Sequence, residues 1–272
     1  MLCRPFQLAI SLLLSLAALT AAVGAAESTQ SSSTLRIRRW TTDDGLPQNR
    51  IGCLKQTRDG YLWMGTWFGL VRFNGVSFTV FDHYNTPELA ANTINALAED
   101  TAGTLWIATS DGLLSYANHR FQRYSVPEGL AEPEVWRLAS SREGGVWVQS
   151  GALVQRVLGG RFSPPFEPRL PGHAIQSIQE GPDGWLNIVQ ELAWVALSPG
   201  GDQIRTNFVL NSKAPPWVTG RLTGNADGLW VGTTNGLEHI NVLDGQATDT
   251  DEMGHHPVHF VFQDRSSRTW GS

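Results

Sequence analysis

Apolar residues in this chain come in short runs, and turn-forming residues cut between them at regular places. Between residues 45 and 82 four such runs follow one another, at 51–54, 61–64, 70–73 and 78–81. Arg58-Asp59-Gly60, the stretch 65–69 and Asn74-Gly75 separate them. Runs of this length bounded by Asp-Gly and Asn-Gly predict antiparallel strands joined by tight hairpins, because those residues accept the positive φ that such turns require. A four-stranded sheet this small has two faces to cover and is not stable alone.

The chain supplies neighbours by repeating the pattern. With Trp63 as reference, related positions recur at Trp106, Trp147, Asn187, Trp230 and Trp270, at intervals of 40 to 43 residues. A β-branched residue stands twelve positions before each, at Ile51, Ile94, Val135, Ile175, Val218 and Val258. Apolar residues stand seven positions after, at Leu70, Leu113, Val154, Trp194 and Leu237, and ten after, at Phe73, Tyr116, Val157, Leu197 and Ile240. A period of about 40–45 residues with four strands per unit predicts the blades of a β-propeller. The expected fold is therefore all-β, with five complete four-stranded antiparallel blades and a partial sixth, part of an incomplete seven-bladed ring.

The blades are expected at about 48–83, 92–125, 133–168, 173–210, 216–254 and 256–272, within a propeller domain spanning 35–272. Blade three ends in a proline-rich segment, 162–168, which suits an outermost strand because its free side needs fewer amide donors. In blade four Asn187 replaces the tryptophan, and Trp185 and Trp194 are the candidates to fill its space. The outer edge of blade five, 246–254, is acidic, so a short or missing strand is expected there. Residues 35–40 alternate apolar and charged, as a half-exposed strand does, and are placed to join the last blade and lock the ring. A sixth blade that stops after its second strand begins suggests the N-terminal fragment of a longer protein. A small ring closing on residues 35–40 is the alternative.

Composition refines this picture at the ends of the chain. Residues 1–26 pair Arg4 with an uncharged apolar stretch and end in small residues, which predicts an exported protein with a cleaved signal peptide. An uncleaved membrane anchor is the alternative reading. Residues 27–34 read as a polar, flexible linker. The net charge of −5, with Lys and Arg scattered singly, lacks the basic stripe a phosphate backbone demands, so nucleic acid is not an expected partner. Cys3 would leave with the signal peptide, and Cys53, inside a first strand, reads as a small buried apolar residue.

The wording of the repeat carries more than its spacing. The stretches GLPQNRI, TRDGYLWMGTWFGLVRFNG, DTAGTLWIATSDGLLSY and NADGLWVGTTNGLEHI resemble the two-component regulator propeller repeat. The likeness covers the chain from about Thr41 onward, is specific in blades one, two and five, and is weakest in blade four. It implies a periplasmic sensor, in a family where two seven-bladed rings commonly precede a β-sandwich, a transmembrane helix and a histidine kinase or diguanylate cyclase. Any such catalytic output is implied only for a longer protein, as are a homodimer formed through it and a membrane contact through a further C-terminal segment.

Independently of that likeness, the repeated residues read as architecture: Asp-Gly turns the first strand into the second, tryptophan wedges between blades, and Gly-Thr-x-x-Gly-Leu makes the next hairpin. The similar aspartate-box hairpin at Asp100 to Trp106 says nothing about glycosidase chemistry. No nucleophile elbow, zinc-protease helix, phosphate loop or dinucleotide fingerprint is present, so neither catalysis nor a cofactor is expected. His255, His256 and His259 cluster in sequence, but strand alternation and a proline separate their directions, so no metal site is expected. Binding is expected where the entry to each first strand meets the hairpin between second and third strands. The candidates are Gln48, Asn49, Arg50, Asn92, Glu134 and Trp217 from the first set, and Trp67, Asp111, Gln190 and Asn235 from the second. Aromatic platforms with amides and charges suit a small polar ligand such as an oligosaccharide. Asn49 and Asn92 also fit plain turn caps. A secreted propeller enzyme, lyase-like or glycosidase-like, is the competing reading.

Overall fold

A computed structural model describes residues 38–168, 174–181, 183–190, 193–207, 223–225, 228–233, 236–240, 247–249, 256, 258, 261–263 and 269–271. Blade one comprises β1 (Cys53–Gln56), β2 (Leu62–Thr66), β3 (Gly69–Phe73) and β4 (Phe78–Phe81). Blade two follows with β5 (Ile94–Glu99), β6 (Leu105–Thr109), β7 (Gly112–Ala117) and β8 (Arg120–Tyr124). Blade three has β9 (Val135–Ser140), β10 (Val146–Ser150), β11 (Leu153–Leu158) and β12 (Arg161–Phe162). Blade four has β13 (Ile175–Glu180), β14 (Leu186–Gln190), β15 (Ala193–Leu197) and β16 (Ile204–Asn207). Blade five has β17 (Thr223–Asn225), β18 (Gly228–Thr233), β19 (Gly236–Ile240) and β20 (Ala247–Asp249). Two strands of blade six, β21 (Val261–Gln263) and β22 (Thr269–Gly271), complete the described sheets. Each sheet is antiparallel and ordered as the chain runs, so the expected meander of four strands per blade is what forms.

Burial within a blade explains why the pattern was legible. The second strands β6, β10 and β14 are buried at every position, because a sheet lies against each of their faces. The fourth strands β4 and β8 are half-buried or exposed at every position but Tyr124, as the rim of a sheet is. Trp63, Trp106, Trp147 and Trp230 lie buried or half-buried at blade seams. Trp63 is stacked on Phe81 with ring centroids 5.8 Å apart and meets Tyr116 of blade two edge-on at 5.0 Å. Trp106 packs among Leu113, Val135 and Val146 at the seam with blade three, and Trp147 packs with Ile175, Ile178 and Leu186 of blade four. Half-buried Trp230 packs against Leu237 and Val258.

The Gly-Thr-x-x-Gly segment forms its hairpin by a threonine clasp. Thr66 Oγ1 donates to the Gly69 carbonyl at 2.8 Å, and Thr109 Oγ1 does the same to Gly112 at 2.8 Å. Gly69 has φ +135°, and a Cβ there would stand 2.5 Å from the Phe81 carbonyl oxygen, so only glycine fits.

Several expectations change in detail. Strand β1 begins at Cys53 rather than at residue 51, although the Gly52 amide still bonds the Gly65 carbonyl at 2.8 Å. The proline-rich edge of blade three contributes only β12 and an isolated bridge from Phe166 to Val154, since prolines cannot extend the ladder. Trp185 is half-buried with the Arg205 guanidinium 3.9 Å from its ring, and Asn187 itself is buried. Trp194's side chain lies outside the described residues. Trp40, expected in a ring-locking strand, has no strand conformation and packs edge-on to Phe73 at 5.2 Å.

A local motif at the entry to two blades was not anticipated. Thr42–Asp44 and Val126–Glu128 are single 3-10 turns, each opened by a hydroxyl residue and closed by a glycine in the left-handed region. The Asp44 carboxylate accepts from the Thr41 amide at 2.8 Å, and the Glu128 carboxylate accepts from the Ser125 amide at 2.8 Å. These reciprocal caps aim Leu46 and Leu130, each one residue past the glycine, into the core.

Candidate functional site

The entry to a first strand and the following second-to-third hairpin share one end of each blade, and backbone bonds join them. In blade two the Ser110 amide donates to the Thr93 carbonyl at 3.3 Å, and the Gly112 amide of the same hairpin reaches the Pro133 carbonyl at the entry to blade three at 2.7 Å. Three of the expected residues meet here in blade one. Gln48 Oε1 accepts from the Trp67 amide at 3.2 Å, and the Arg50 guanidinium lies 4.8 Å from the Trp67 ring centroid. Trp67 is still 54 % exposed and neighbouring Phe68 58 % exposed, so the platform is held from beneath and open above. A cation over one part of an indole is worth roughly 0.5–1 kcal/mol at an exposed site, enough to fix the ring's attitude.

The other expected residues are placed differently. Asn49 Oδ1 accepts from the Thr42 amide at 2.9 Å and Asn92 Oδ1 from the His83 amide at 2.9 Å, so both serve as backbone caps. Asp111 is held by Arg123 at 2.9 Å. Glu134 is half-buried just before β9. Gln190 ends β14 only 3 % exposed, inside the wall rather than at its surface. Trp217 and Asn235, like His255 and His259, lie outside the described residues.

One aromatic at this end escaped the sequence reading. Blades two, three and four each carry a β-bulge after the opening residue of the first strand, leaving Asn95, Trp136 and Gln176 without a partner across the ladder. A bulge re-aims the side chain it carries, and Trp136 emerges 44 % exposed. Nearby polar groups brace the bulges across blade seams. Asn95 Nδ2 donates to the Val135 carbonyl at 2.8 Å, and Arg137 Nε to the Gln176 carbonyl at 2.7 Å. The available signal was internal: the second position of the unit reads Gly52, Asn95, Trp136 and Gln176, varying in size and polarity while the residue before it stays β-branched.

The opposite end is committed to the frame. Both oxygens of Asp100 are engaged, Oδ1 by the Ala102 and Thr104 amides at 2.9 Å each and Oδ2 by the Trp106 indole at 2.9 Å. The aspartate-box stretch is therefore a hairpin brace, as the sequence suggested. Cys53 is buried, with its sulfur 2.4 Å from where a Cβ on Gly65 would stand, in keeping with a core role. No cluster of three or more metal-ligating side chains occurs among the described residues. No helix among them is long and apolar enough to cross a membrane.

Two segments, 45–68 and 88–111, match the family model described as two component regulator propeller. Each match runs from the entry loop through the first two strands to the following hairpin, and so spans Gln48, Arg50 and Trp67 in one blade and Asn92 and Asp111 in the next. No curated protein matches the chain. Among solved structures it is similar to the extracellular domain assigned to the hybrid two component system BT3049 from B. thetaiotaomicron, with TM-score 0.70 and 22% identity over 86% of this chain and 34% of that one. It is also similar to the extracellular domain assigned to the one component system BT4673 of the same organism, with TM-score 0.63 and 19% identity over 84% of this chain and 32% of that one. The virginiamycin B lyase from Staphylococcus aureus superposes with TM-score 0.62 and 15% identity over 81% of this chain and 76% of that one. These likenesses establish the propeller fold. The chain spans about a third of the length of the first two structures.

Proposed function

Starting from a chain that carries two component regulator propeller repeats, we propose that it is the ligand-sensing part of an extracytoplasmic signalling protein. It is exported by residues 1–26, binds a small polar ligand such as an oligosaccharide, and does not itself catalyse a reaction. Kinase, cyclase or other output belongs to a longer protein. The observation that carries this reading is the exposed Trp67, oriented by Arg50 and Gln48 at the end where blade-entry loops gather. An indole held at a fixed angle stacks on the apolar face of a sugar ring, while amides and a guanidinium take its hydroxyls.

Titration of the purified protein with a panel of oligosaccharides, followed by calorimetry, tests this. At least one should bind saturably, and Trp67→Ala should weaken it about tenfold or more, the loss of one stacking contact and the braces it orders. Binding that ignores Trp67→Ala, or no binding across the panel, would remove the reading. Turnover of any panel member would favour a secreted lyase-like or glycosidase-like enzyme instead. The likeness to a lyase carries the fold alone and lends that alternative no residue.

A further inference from the structure

Apart from the entry-loop end that carries Trp67, between the outermost strands β4 and β8, lies an open cavity of about 650 Å³. Phe81 and Phe121 line it and meet edge to face at 5.2 Å. Glu88, on the link into blade two, and Arg120, at the start of β8, line it as well. Both are exposed, and neither side chain forms a hydrogen bond or ion pair with any described residue, including each other. The contrast with other arginines of these sheets is sharp. Arg123 is paired with Asp111, Arg156 with Glu143, and Arg72 lies over Tyr61 with a bond to the Tyr116 hydroxyl. The tight turn at Asn118 and His119, both with positive φ, fixes where β8 starts and so where Arg120 stands.

We propose that this rim cavity binds a small zwitterion with an apolar side chain, an amino acid or a dipeptide. A cavity of this size falls within the roughly 300–1,000 Å³ of small-ligand sites. Its two unpaired charges are opposite in sign and flank an aromatic wall, which matches a molecule with a carboxylate at one end, an ammonium at the other and a hydrocarbon between. Arg120 takes the carboxylate through its planar fork, Glu88 takes the ammonium, and the side chain lies on Phe81 and Phe121. The site shares no residue with the Trp67 platform.

Calorimetric titration of the whole protein with L-leucine and with leucyl-leucine tests the idea, and comparing the two tells a free amino acid from a peptide. N-acetyl-leucine and leucinamide, each lacking one charge, should bind at least about tenfold more weakly. Arg120→Gln and Glu88→Gln should each weaken the zwitterion about tenfold, while Trp67→Ala leaves it unchanged. All three side chains are exposed, so the variants should fold, and unchanged thermal unfolding verifies it. No saturation with either zwitterion, equal affinity for the blocked forms, or sensitivity to Trp67→Ala but not to the rim variants would overturn the proposal.

Discussion

The Glu180 carboxylate accepts a hydrogen bond from the Trp147 indole at 2.7 Å, across the seam between blades three and four. Its other oxygen accepts the Arg142 backbone amide at 2.8 Å. The same position in blade two is Glu99, which receives the Arg58 amide of blade one at 3.0 and 3.2 Å. In blade three it is Ser140, whose hydroxyl donates to the Glu99 carbonyl at 2.8 Å. The sixth residue of the first strand thus staples blades two, three and four each to the one before, and in two of them it satisfies a hairpin amide that apolar packing alone would leave without an acceptor.

Removing the staple should therefore cost more than a surface change does. Glu180→Ala leaves an indole and an amide without an acceptor, and should lower stability by about 2 kcal/mol in chemical denaturation. Glu180→Gln should cost less, since the amide oxygen can still accept one of the two bonds.

Trp63 fills the seam between blades one and two and is 1% exposed. Trp63→Ala should cost about 3–5 kcal/mol by denaturation, the range for opening a large aromatic cavity. Trp63→Phe should recover a good part of that loss. A similar small cost for both variants would contradict the wedge role.

Gly69→Ala should destabilise by more than about 1 kcal/mol, measured the same way. Two causes act together: φ at +135° is strained for a residue with a Cβ, and that Cβ would press on the Phe81 carbonyl. Gly75→Ala, with φ +95° but nothing within 4 Å of its Cβ, should cost less.

Glu128 has a testable pH signature. The Ser125 hydroxyl, and after it the Ser125 amide, hold its carboxyl below the ordinary glutamate range. A carboxylate with a lowered folded-state pKa adds stability that is fully present above the ordinary value and lost as pH falls through the lowered one. The acid limb of thermal unfolding should accordingly flatten in Glu128→Gln relative to the parent, the variant being the less stable near neutral pH and the two converging as pH falls. An unchanged acid limb would show that the cap does not form in solution.

The blades were readable in the sequence because most repeat one demand: a second strand covered on both faces must be largely apolar, and the turns around it favour Asp-Gly and Gly-Thr-x-x-Gly. Repetition turned weak local signals into a strong one. The meeting of Gln48, Arg50 and Trp67 was readable too, since the ladder itself forces a blade-entry loop next to the following hairpin. The caps at Thr41 and Ser125 were also local, a hydroxyl three residues before a carboxylate, but they fall between repeats and were passed over.

By itself, then, the sequence determined the period, the strands and the residues that wedge the seams, because these follow from contacts among near neighbours in the chain. Only the tertiary structure decided that Asn49 and Asn92 cap backbone while Trp136 turns outward, that Glu99 and Glu180 bind amides about 40 residues away, and that Glu88 and Arg120 share a cavity without pairing. Those outcomes depend on how one blade is set against the next, and a bulge or a seam redirects side chains that strand alternation alone would have pointed elsewhere.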